Sequence, residues 1–389
     1  MDKPKLLYVS PFWPKRSGIS EYSEILIEGL NEFFDITLVI DDYKINSKKI
    51  KEKYNIITYK NDTVLPNYDF VLYNFGNNPE YHSYMYDMII KYPGHVILHD
   101  YVLYYLTVGY YSQKNKLFQK IYEMEGVHGM QIIKDSLKEN QTNDLLQHKN
   151  IASYLPLNKE ILGLAKGIFV HSLYTKNMIE KFLGIDRVFV IPLVNTLSNT
   201  QNISRSNDFL NRKYNIKKGS YIIGAVGFIA PTKQNELTCL AVKEYNKRHN
   251  DKIYYVMIGD GNYVDHLLDD YIIKTGFLEN EDFYRAIHSC DLIMNLRYPY
   301  NGESSSTLIQ CMSMGKPCVV TDIGWFSELP DDTVIKIPID ISLDVFVNLI
   351  ERLKEKNLGL LKIRAQKYIN EQCMPLTIAR NIYKYMSEW

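Results

Sequence analysis

Residues 291–321 predict a strand, a turn, a helix and a second strand in close succession, which constrains the fold more than any other part of the sequence. An apolar run at 291–296 leads into a turn rich in Pro, Asn and Gly at 299–302. A helix is predicted over 304–314, where Gly315 and Pro317 end it, and a short apolar strand over 318–321. Two strands joined through a helix are expected to lie parallel in one sheet.

The start of that helix is rich in hydroxyl groups. Ser304, Ser305, Ser306 and Thr307 stand in its first turn. There the backbone N–H groups and the positive end of the helix dipole face outward, which suits a phosphate group. Glu303 directly precedes the helix, where a carboxylate can accept hydrogen bonds from the hydroxyls of a sugar.

Both halves of the chain alternate short apolar strands with helical stretches, the pattern of βα units and parallel sheets. In the first half, strands are predicted at 5–9, 35–40, 55–58, 70–74, 95–99, 167–171 and 188–192. Helices are predicted at 18–31 and across a long region at 102–146. A polar stretch rich in Asn and Ser follows, and a second alternating series begins at Tyr221. Two α/β domains joined by a linker at 196–215 are therefore expected.

Length and charge narrow the class of protein. A chain of 389 residues allows roughly two domains, each with its own core. Because 45 basic residues balance 45 acidic ones, no global field recruits nucleic acid or an anionic membrane. The first residues lack the apolar core of a signal peptide, and no apolar run approaches the ~20 residues that span a bilayer. A cytoplasmic protein is expected.

Two further features bear on location. The five cysteines lack C-x-x-C spacing, so buried reduced thiols are expected rather than disulfides or metal ligands. The basic run at 44–53 allows a weak peripheral contact with the inner face of the cell membrane, although such a run is more often a solvated helix face.

In the first half, polar side chains follow two predicted strands. His99 and Asp100 end the strand at 95–99. Gly76, Asn77 and Asn78 follow the strand at 70–74, and His82 comes shortly after. Ligands of open α/β folds bind outside the carboxyl ends of the strands. The alternative is that these residues cap helices or belong to ordinary loops.

Two segments of the second half resemble the donor-binding part of retaining glycosyltransferases of family 4, which have the GT-B fold. In GAVGFIAPTKQNE, residues 224–236, the family has Gly-Arg-Leu followed by Lys-Gly, so Lys233 keeps the lysine and Phe228 replaces the arginine. In residues 296–315 the family has two glutamates separated by seven residues. Here Gln310 stands at the second glutamate, and Glu303 lies one position from the first.

The resemblance implies how a donor is bound. Lys233 would grip the diphosphate, and Arg297, directly after a predicted strand, is a candidate for the missing arginine because its rigid fork suits phosphate. Residues 304–307 would also bind donor phosphate, and Glu303 would contact the transferred sugar. Gln310 would hydrogen-bond the ribose as a neutral replacement for glutamate.

Other implied roles fall in the first half. The segment SPFWPKRSGISEYS, residues 10–23, looks like the family's Gly-containing loop, with Gly18 close to the donor phosphate. His99 or Asp100 would lie near the reacting sugar, and Asn77, Asn78 and His82 would contact the acceptor.

The sequence therefore predicts an α/β protein of the GT-B fold, with two Rossmann-like domains whose parallel sheets face an interdomain cleft. The first domain, residues 1–195 completed by a terminal helix at 375–389, would bind the acceptor. The second, residues 196–374, would bind a nucleotide sugar. The resemblance implies that a hexose moves with retention to a glycan or lipid-linked acceptor, in the synthesis of a bacterial surface polysaccharide or glycan.

No cofactor is expected, and the absence of D-x-D argues against a metal-dependent design. Catalysis is expected to rest on Glu303, His99, Asp100 and Lys233. One alternative is a non-catalytic relative that binds sugar nucleotides as a partner subunit, because the arginine and one glutamate of the family pattern are missing. A phosphorylase-like reaction lacks support, since no motif for a lysine-bound cofactor is evident.

Overall fold

The computed structural model describes residues 3–60, 67–140, 142–148, 151–197 and 208–388. The chain divides into two compact units. The first comprises Met1–Val194, Asn301–Ser304 and Pro375–Trp389, and the second comprises Asn195–Tyr300 and Ser305–Met374. Placing 301–304 in the first unit differs from the sequence-based division, which assigned all of 196–374 to the second domain. Of the predicted linker, residues 198–207 lie outside the described part of the chain.

The first unit is built on a parallel sheet that contains seven strands within the described ranges. These strands are β1 (Lys5–Val9), β2 (Asp35–Ile40), β3 (Asn55–Thr58), β4 (Phe70–Phe75), β5 (His95–Leu98), β6 (Ile168–Val170) and β7 (Val188–Val190). Their order across the sheet is β3-β2-β1-β4-β5-β6-β7. Central strands such as β1 and β5 are buried on both faces, which explains why their sequences are continuously apolar rather than alternating.

Helices cover this sheet. They are α1 (Gly18–Leu30), α2 (Lys48–Lys53), α3 (Pro79–Lys91), α4 (Tyr104–Gln113), α5 (Leu117–Glu139), α6 (Ile151–Tyr154), α7 (Lys159–Leu164) and α8 (Leu173–Leu183). The region predicted as one long helical stretch is broken between α4 and α5. It is broken again inside α5, where Gly126 has φ 61° and ψ −154°. Glycine adopts such a left-handed conformation at little steric cost.

The second unit has a parallel sheet that contains six strands among the described residues. The strands are β8 (Tyr221–Val226), β9 (Ile253–Ile258), β10 (Ile272–Lys274), β11 (Leu292–Asn295), β12 (Cys318–Thr321) and β13 (Ile335–Ile337), in the order β10-β9-β8-β11-β12-β13. The helices are α9 (Phe209–Lys213), α10 (Asn235–Arg248), α11 (Asn280–Ser289), α12 (Ser306–Ser313), α13 (Gly324–Glu328), α14 (Leu343–Glu355) and α15 (Gly359–Gln372).

The prediction of two Rossmann-like α/β domains with parallel sheets is confirmed. Each unit has its own buried apolar core. The cysteines Cys239, Cys290, Cys311, Cys318 and Cys373, all within the described ranges, are free and buried, as predicted. Among the helices of the described residues, none has the length and apolar character needed to cross a bilayer.

The last helix, α16 (Pro375–Glu388), belongs to the first unit and packs on α1. Tyr383 stacks on Phe33 with ring centroids 5.3 Å apart and meets Phe34 edge-on at the same centroid distance. Gly29 lies where α16 begins, and a Cβ atom there would come within 2.5 Å of the Pro375 carbonyl oxygen. A glycine is therefore needed at position 29 for the two helices to approach this closely.

Gly29→Ala is expected to destabilise the first unit, because the added methyl group collides with backbone rather than with a flexible side chain. Overpacking of this kind costs about 1–3 kcal/mol. Gly18→Ala, on the same helix, is the matched control, since a Cβ atom there has no neighbour within 4 Å. Urea unfolding should separate the two variants, and equal free energies of unfolding would contradict the proposed steric role of Gly29.

Candidate active site

The carboxyl ends of neighbouring strands bring several polar side chains of the first unit together. Strand β4 contains Asn74 and leads into Asn77, β5 leads into His99 and Asp100, and β6 leads into His171. Because β4, β5 and β6 are adjacent and parallel, their ends meet at one edge of the sheet. This edge is where ligands of open α/β folds bind.

Asp100 is the most electrostatically perturbed carboxyl group at this edge. Burial, reinforced by the negative charge of Glu303, raises the pKa of Asp100 to about 6. The Asn77 N–H donates to Asp100 Oδ2 over 3.1 Å, which opposes this rise by stabilising the ionised form. A carboxyl group with a pKa close to neutral can exchange a proton or a strong hydrogen bond with a substrate hydroxyl.

Gly76 allows the turn after β4 to pass close to these groups. A Cβ atom there would lie 2.4 Å from Ile19 Cδ1, 3.0 Å from His82 Nε2 and 3.5 Å from Asp100 Oδ2. A larger residue would first collide with the Ile19 side chain of α1, while Asp100 would lie at an ordinary contact distance.

Glu303 reaches the first unit through the segment Asn301–Ser304. The Gly302 carbonyl accepts a hydrogen bond from Thr175 Oγ1 over 3.3 Å, and a Cβ atom on Gly302 would lie 2.6 Å from Tyr101 Cβ. Gly302 has φ 84°, a left-handed conformation that favours glycine. The Asn301 N–H donates to Glu303 Oε2 over 2.9 Å. These contacts fix the segment in which the Glu303 charge acts on Asp100.

His99 is set among other side chains of the fold. Its Nε2 lies 3.3 Å from Asn74 Oδ1, and its Nδ1 lies 3.3 Å from His171 Nε2. The Tyr22 ring meets the His99 ring edge-on with centroids 4.6 Å apart. Burial lowers the pKa of His99 well below its ordinary value, and the neighbouring His171 and His82 act in the same direction. His99 is therefore a neutral imidazole at pH 7.

Of the three residues that were predicted to contact an acceptor, two hold helices in place and the third is buried. Asn78 Oδ1 accepts from the Glu80 N–H over 2.8 Å and caps α3, while Asn77 Oδ1 accepts from the Leu106 N–H over 3.2 Å and braces α4. His82 is 1% exposed, and burial lowers its pKa to about 3. Acceptor binding by these residues stays a prediction, and the exposed surface that His82 offers for it is minimal.

In the second unit, glycines let the loops after β8 and β9 approach each other. The Gly227 N–H donates to the Ile258 carbonyl over 2.9 Å, and a Cβ atom on Gly259 would lie 2.1 Å from the Gly227 carbonyl oxygen. Gly227 itself has φ 96°. The backbone at Gly227 is thus fixed in place, with a hydrogen atom where other residues carry a side chain.

Lys233 and the start of α12 meet at this glycine. A Cβ atom on Gly227 would lie 2.9 Å from Lys233 Nζ and 3.5 Å from Thr307 Cγ2. The N-cap of α12 is Ser305, whose Oγ accepts from the Leu308 N–H over 3.3 Å. The helix therefore begins at Ser306, two residues later than predicted, and Ser304 falls in the first unit. An ammonium group, a glycine and a helix start in one place form an arrangement that suits an anion.

Arg297 and Gln310 are partly committed to the fold. Arg297 is 7% exposed, and its Nη1 donates to the Leu296 carbonyl over 2.7 Å. Gln310 is 3% exposed, and its Nε2 donates to Thr196 Oγ1 over 2.8 Å. The Tyr298 N–H donates to the Thr232 carbonyl over 2.8 Å, which ties the backbone after β11 to the turn that carries Lys233. Donor contacts by Arg297 and Gln310 stay predictions.

Gly18 begins α1, which Ser17 caps by accepting from the Ile19 N–H over 3.2 Å. A Cβ atom on Gly18 would meet nothing within 4 Å. Packing therefore does not require glycine at this position. The predicted close approach of a donor phosphate to this backbone stays a prediction.

Sequence reasoning did not single out Asn74, Tyr22 or His171. The signal for His171 was present, because His-Ser follows β6 in the same way as His-Asp follows β5. Tyr22 and Asn74 lie inside an apolar helix face and an apolar strand, where a polar group gives no periodic signal. Among the described residues, no group of three or more His, Cys, Asp or Glu side chains is arranged to hold a metal ion.

Comparison with known proteins agrees with this architecture. Residues 220–355, which lie in the second unit except for 301–304, match the family model described as Glycosyl transferases group 1. No curated protein matches the chain. HepE from Anabaena, solved with UDP, is 15% identical with a TM-score of 0.64, and the match covers 99% of this chain and 100% of HepE.

Two other solved structures are similarly close. The sucrose-phosphate synthase from Thermosynechococcus elongatus is 12% identical with a TM-score of 0.65, over 99% of this chain and 98% of that one. WaaG, a glycosyltransferase involved in lipopolysaccharide biosynthesis, is 12% identical with a TM-score of 0.65, over 99% of this chain and 100% of that one. At these identities the similarity concerns the fold, and the predicted GT-B fold is confirmed.

Asp100→Asn is expected to stabilise the protein above pH 6. The folded-state pKa of about 6 exceeds the ordinary value of 3.8, so the wild type loses stability as the pH rises between these values. Asparagine keeps an acceptor for the Asn77 N–H and carries no charge. The melting temperature of the variant should exceed that of the wild type at pH 8, and the difference should disappear near pH 4. A constant difference across this range would show that the Asp100 carboxyl group is not strained.

Proposed function

We propose that this chain is a glycosyltransferase that moves a hexose from a nucleoside diphosphate sugar to a hydroxyl group of a glycan or lipid-linked acceptor, with retention. The observation that carries the proposal is the meeting of Lys233, Gly227 and the start of α12 at the carboxyl edge of a sheet. This meeting lies within the residues that match the Glycosyl transferases group 1 model.

The donor diphosphate would lie over Gly227. The absence of a side chain there lets phosphate oxygens approach the backbone, the Lys233 ammonium supplies a positive charge, and the first turn of α12 supplies N–H donors. As the bond between the sugar and the diphosphate breaks, negative charge develops on the leaving phosphate. Groups already aimed at that charge stabilise it without reorganisation, which is usually the largest single contribution to catalysis.

A uridine nucleotide is the donor class we favour. The HepE structures were solved with UDP, with UDP and glucose, and with UDP-glucose, at 14–15% identity and TM-scores of 0.63–0.64. The ribose would contact Gln310, whose Nε2 donates to Thr196 Oγ1. Arg297 would assist Lys233 at the diphosphate.

Asp100 and Glu303 would act on the hydroxyl groups of the reacting sugars. In the proposed front-face reaction, the bond between the acceptor oxygen and the anomeric carbon forms on the side from which the diphosphate leaves. The leaving diphosphate takes the acceptor proton, so no protein base is consumed. Above pH 6 an ionised Asp100 accepts a hydrogen bond from the acceptor hydroxyl, and Glu303 accepts one from the transferred sugar.

The biological setting is part of the proposal. Synthesis of a bacterial surface glycan fits the fold-level similarity to WaaG, and the acceptor would be met at the inner face of the cell membrane. No metal ion and no cofactor are proposed, because the Lys233 ammonium and the helix start would carry the phosphate charge.

A second candidate is a relative that binds sugar nucleotides without catalysing transfer. Phe228, at the place of the family's arginine, is 67% exposed, so it adds an apolar side chain where a cation is usual. Gln310 replaces a glutamate and is largely buried. These two positions favour weak phosphate and ribose binding, and turnover measurements decide between the candidates.

Incubation with a panel of nucleotide sugars, with release of free nucleotide as the readout, tests the enzyme directly. Release is expected from a UDP-sugar in the presence of a glycan acceptor. Lys233→Ala should weaken donor and nucleotide binding together, because the phosphate loses its cation. Lys243→Ala, which removes a lysine of α10 that pairs with Asp269 at 3.3 Å, is the control. Binding of UDP without release would support the non-catalytic candidate, and equal binding by both variants would remove Lys233 from the site.

Glu303→Gln should lower turnover by roughly 10² or more, the loss expected for one transition-state contact. The variant should fold normally, because the amide oxygen can still accept from the Asn301 N–H. Removing the Glu303 charge should also move the acid limb of the rate profile to lower pH, since that charge helps to raise the pKa of Asp100. Glu281→Gln, in an exposed ion pair of α11, is the control. Turnover near that of the wild type would exclude the role of Glu303.

A further inference from the structure

A chain of hydrogen-bonding groups runs along the carboxyl edge of four neighbouring strands of the first sheet. Asn74 of β4 lies 3.3 Å from His99 Nε2, at the end of β5. His99 Nδ1 lies 3.3 Å from His171 Nε2, at the end of β6. His171 Nδ1 lies 3.2 Å from the carbonyl oxygen of Ile191, directly after β7. Strands β4, β5, β6 and β7 are consecutive in the sheet, so this series of hydrogen-bonding groups crosses four strands without a gap.

The carbonyl of Ile191 fixes the direction of this chain. A carbonyl oxygen only accepts, so His171 Nδ1 must carry the proton that it shares with Ile191. In a neutral imidazole the other ring nitrogen carries no proton and can only accept a hydrogen bond. His171 Nε2 therefore accepts from His99 Nδ1–H. It follows that His99 Nε2 also carries no proton and needs a hydrogen-bond donor.

Asn74 supplies that donor only through its amide nitrogen. Its Oδ1 faces His99 Nε2, while its Nδ2 is buried and has no hydrogen-bond partner among the described residues. A half-turn of the amide brings Nδ2–H onto the His99 lone pair and turns Oδ1 to the other side of the amide, where Asn74 interacts with the Tyr8 hydroxyl. The opposite direction, with His99 Nε2–H donating to Oδ1, would set two lone pairs against each other at Ile191 and leave Nδ2 unpaired. One direction alone therefore gives all four histidine nitrogens a partner of the right kind.

The surroundings hold both imidazoles neutral. The Tyr22 ring covers the pair, with its centroid 4.6 Å from that of His99 and 5.7 Å from that of His171. Burial lowers the pKa of His171 to about 4, against the hydrogen bonds to the carbonyls of Ile191 and Pro192. A second proton on either ring would face a buried and already satisfied partner.

We propose that His171 and Asn74 are positioning residues that lock His99 in the Nδ1–H tautomer and fix the turn after β5. Both nitrogens of His99 are then consumed within the fold. Asp100, the next residue, is the group of this turn that meets the acceptor hydroxyl, a conclusion that rests on the proposed glycosyl transfer. His99 acts through the backbone that it holds, and Asp100 acts on the substrate.

Nitrogen-15 NMR of histidine-labelled wild-type protein tests the tautomer without any assumption about activity. Long-range proton–nitrogen correlations distinguish Nδ1–H from Nε2–H imidazoles, and the spectra of His99→Asn and His171→Asn assign the two rings. Both rings are expected in the neutral Nδ1–H form from pH 5.5 to 8. An Nε2–H tautomer of His99, or a protonated His99 ring near pH 6, would overturn the proposal.

Turnover tests the positioning role. His171→Phe keeps an aromatic ring but removes the acceptor for His99 Nδ1–H. It should lower kcat by about tenfold to hundredfold, the scale of a misplacement of about 1 Å, while KM for the donor stays unchanged. His171→Gln keeps an acceptor near the position of Nε2 and should recover much of the loss.

The matched control is His95→Phe, at the opposite end of β5. His95 is also buried, and it packs against Phe169 with ring centroids 6.2 Å apart. This variant should lose stability but keep its turnover number. Equal losses of kcat in His171→Phe, His171→Gln and His95→Phe would show that His171 only stabilises the fold and would contradict the positioning role. If the wild type turns over no nucleotide sugar, the proposed function fails while the NMR spectrum still decides the tautomer.

Discussion

The parallel direction of the strands determines where polar side chains gather in this molecule. Every strand pairing between named strands of the described residues is parallel, so the carboxyl ends of neighbouring strands lie side by side. Buried β-strands tolerate few polar groups, and polar residues therefore collect where the strands end. In the first unit this places His171 beside His99, and in the second it places Thr307 near Gly227. Each edge is assembled from residues distant in sequence because the strand order brings their ends together.

The sequence was most informative where one periodicity decides the structure. Strands such as β1 and β2 have the predicted bounds, because continuous apolar runs bounded by turns have few alternative structures. The interruption at Gly126 was not predicted, since one left-handed residue inside a helical pattern leaves the pattern intact. The location of Glu303 was predicted only in part. Sequence patterns joined it to α12, which belongs to the second unit, whereas Asn301–Ser304 lies in the first, where Gly302 contacts Thr175 and Tyr101.

Hydrogen-bond direction is a level of information that sequence patterns do not contain. The order of strands across the sheet decides that His99 and His171 are neighbours, and a single backbone carbonyl then decides which nitrogen carries each proton. Asp100 illustrates the same dependence for charge. Its pKa is raised by burial and by Glu303, a residue about two hundred positions away along the chain. Holding this carboxylate ionised lowers the stability of the folded protein as the pH rises between 3.8 and about 6.

The docking of α16 on α1 has a consequence for how the protein is made. Ribosomes synthesise chains from the amino terminus, and domains generally fold as they emerge. The first unit cannot complete its surface until residues 375–388 have been translated, after the entire second unit. Until then, the faces of Phe33 and Phe34 that Tyr383 covers remain open to solvent or to a chaperone. All residues of the second unit are therefore synthesised before the helix that completes the first unit.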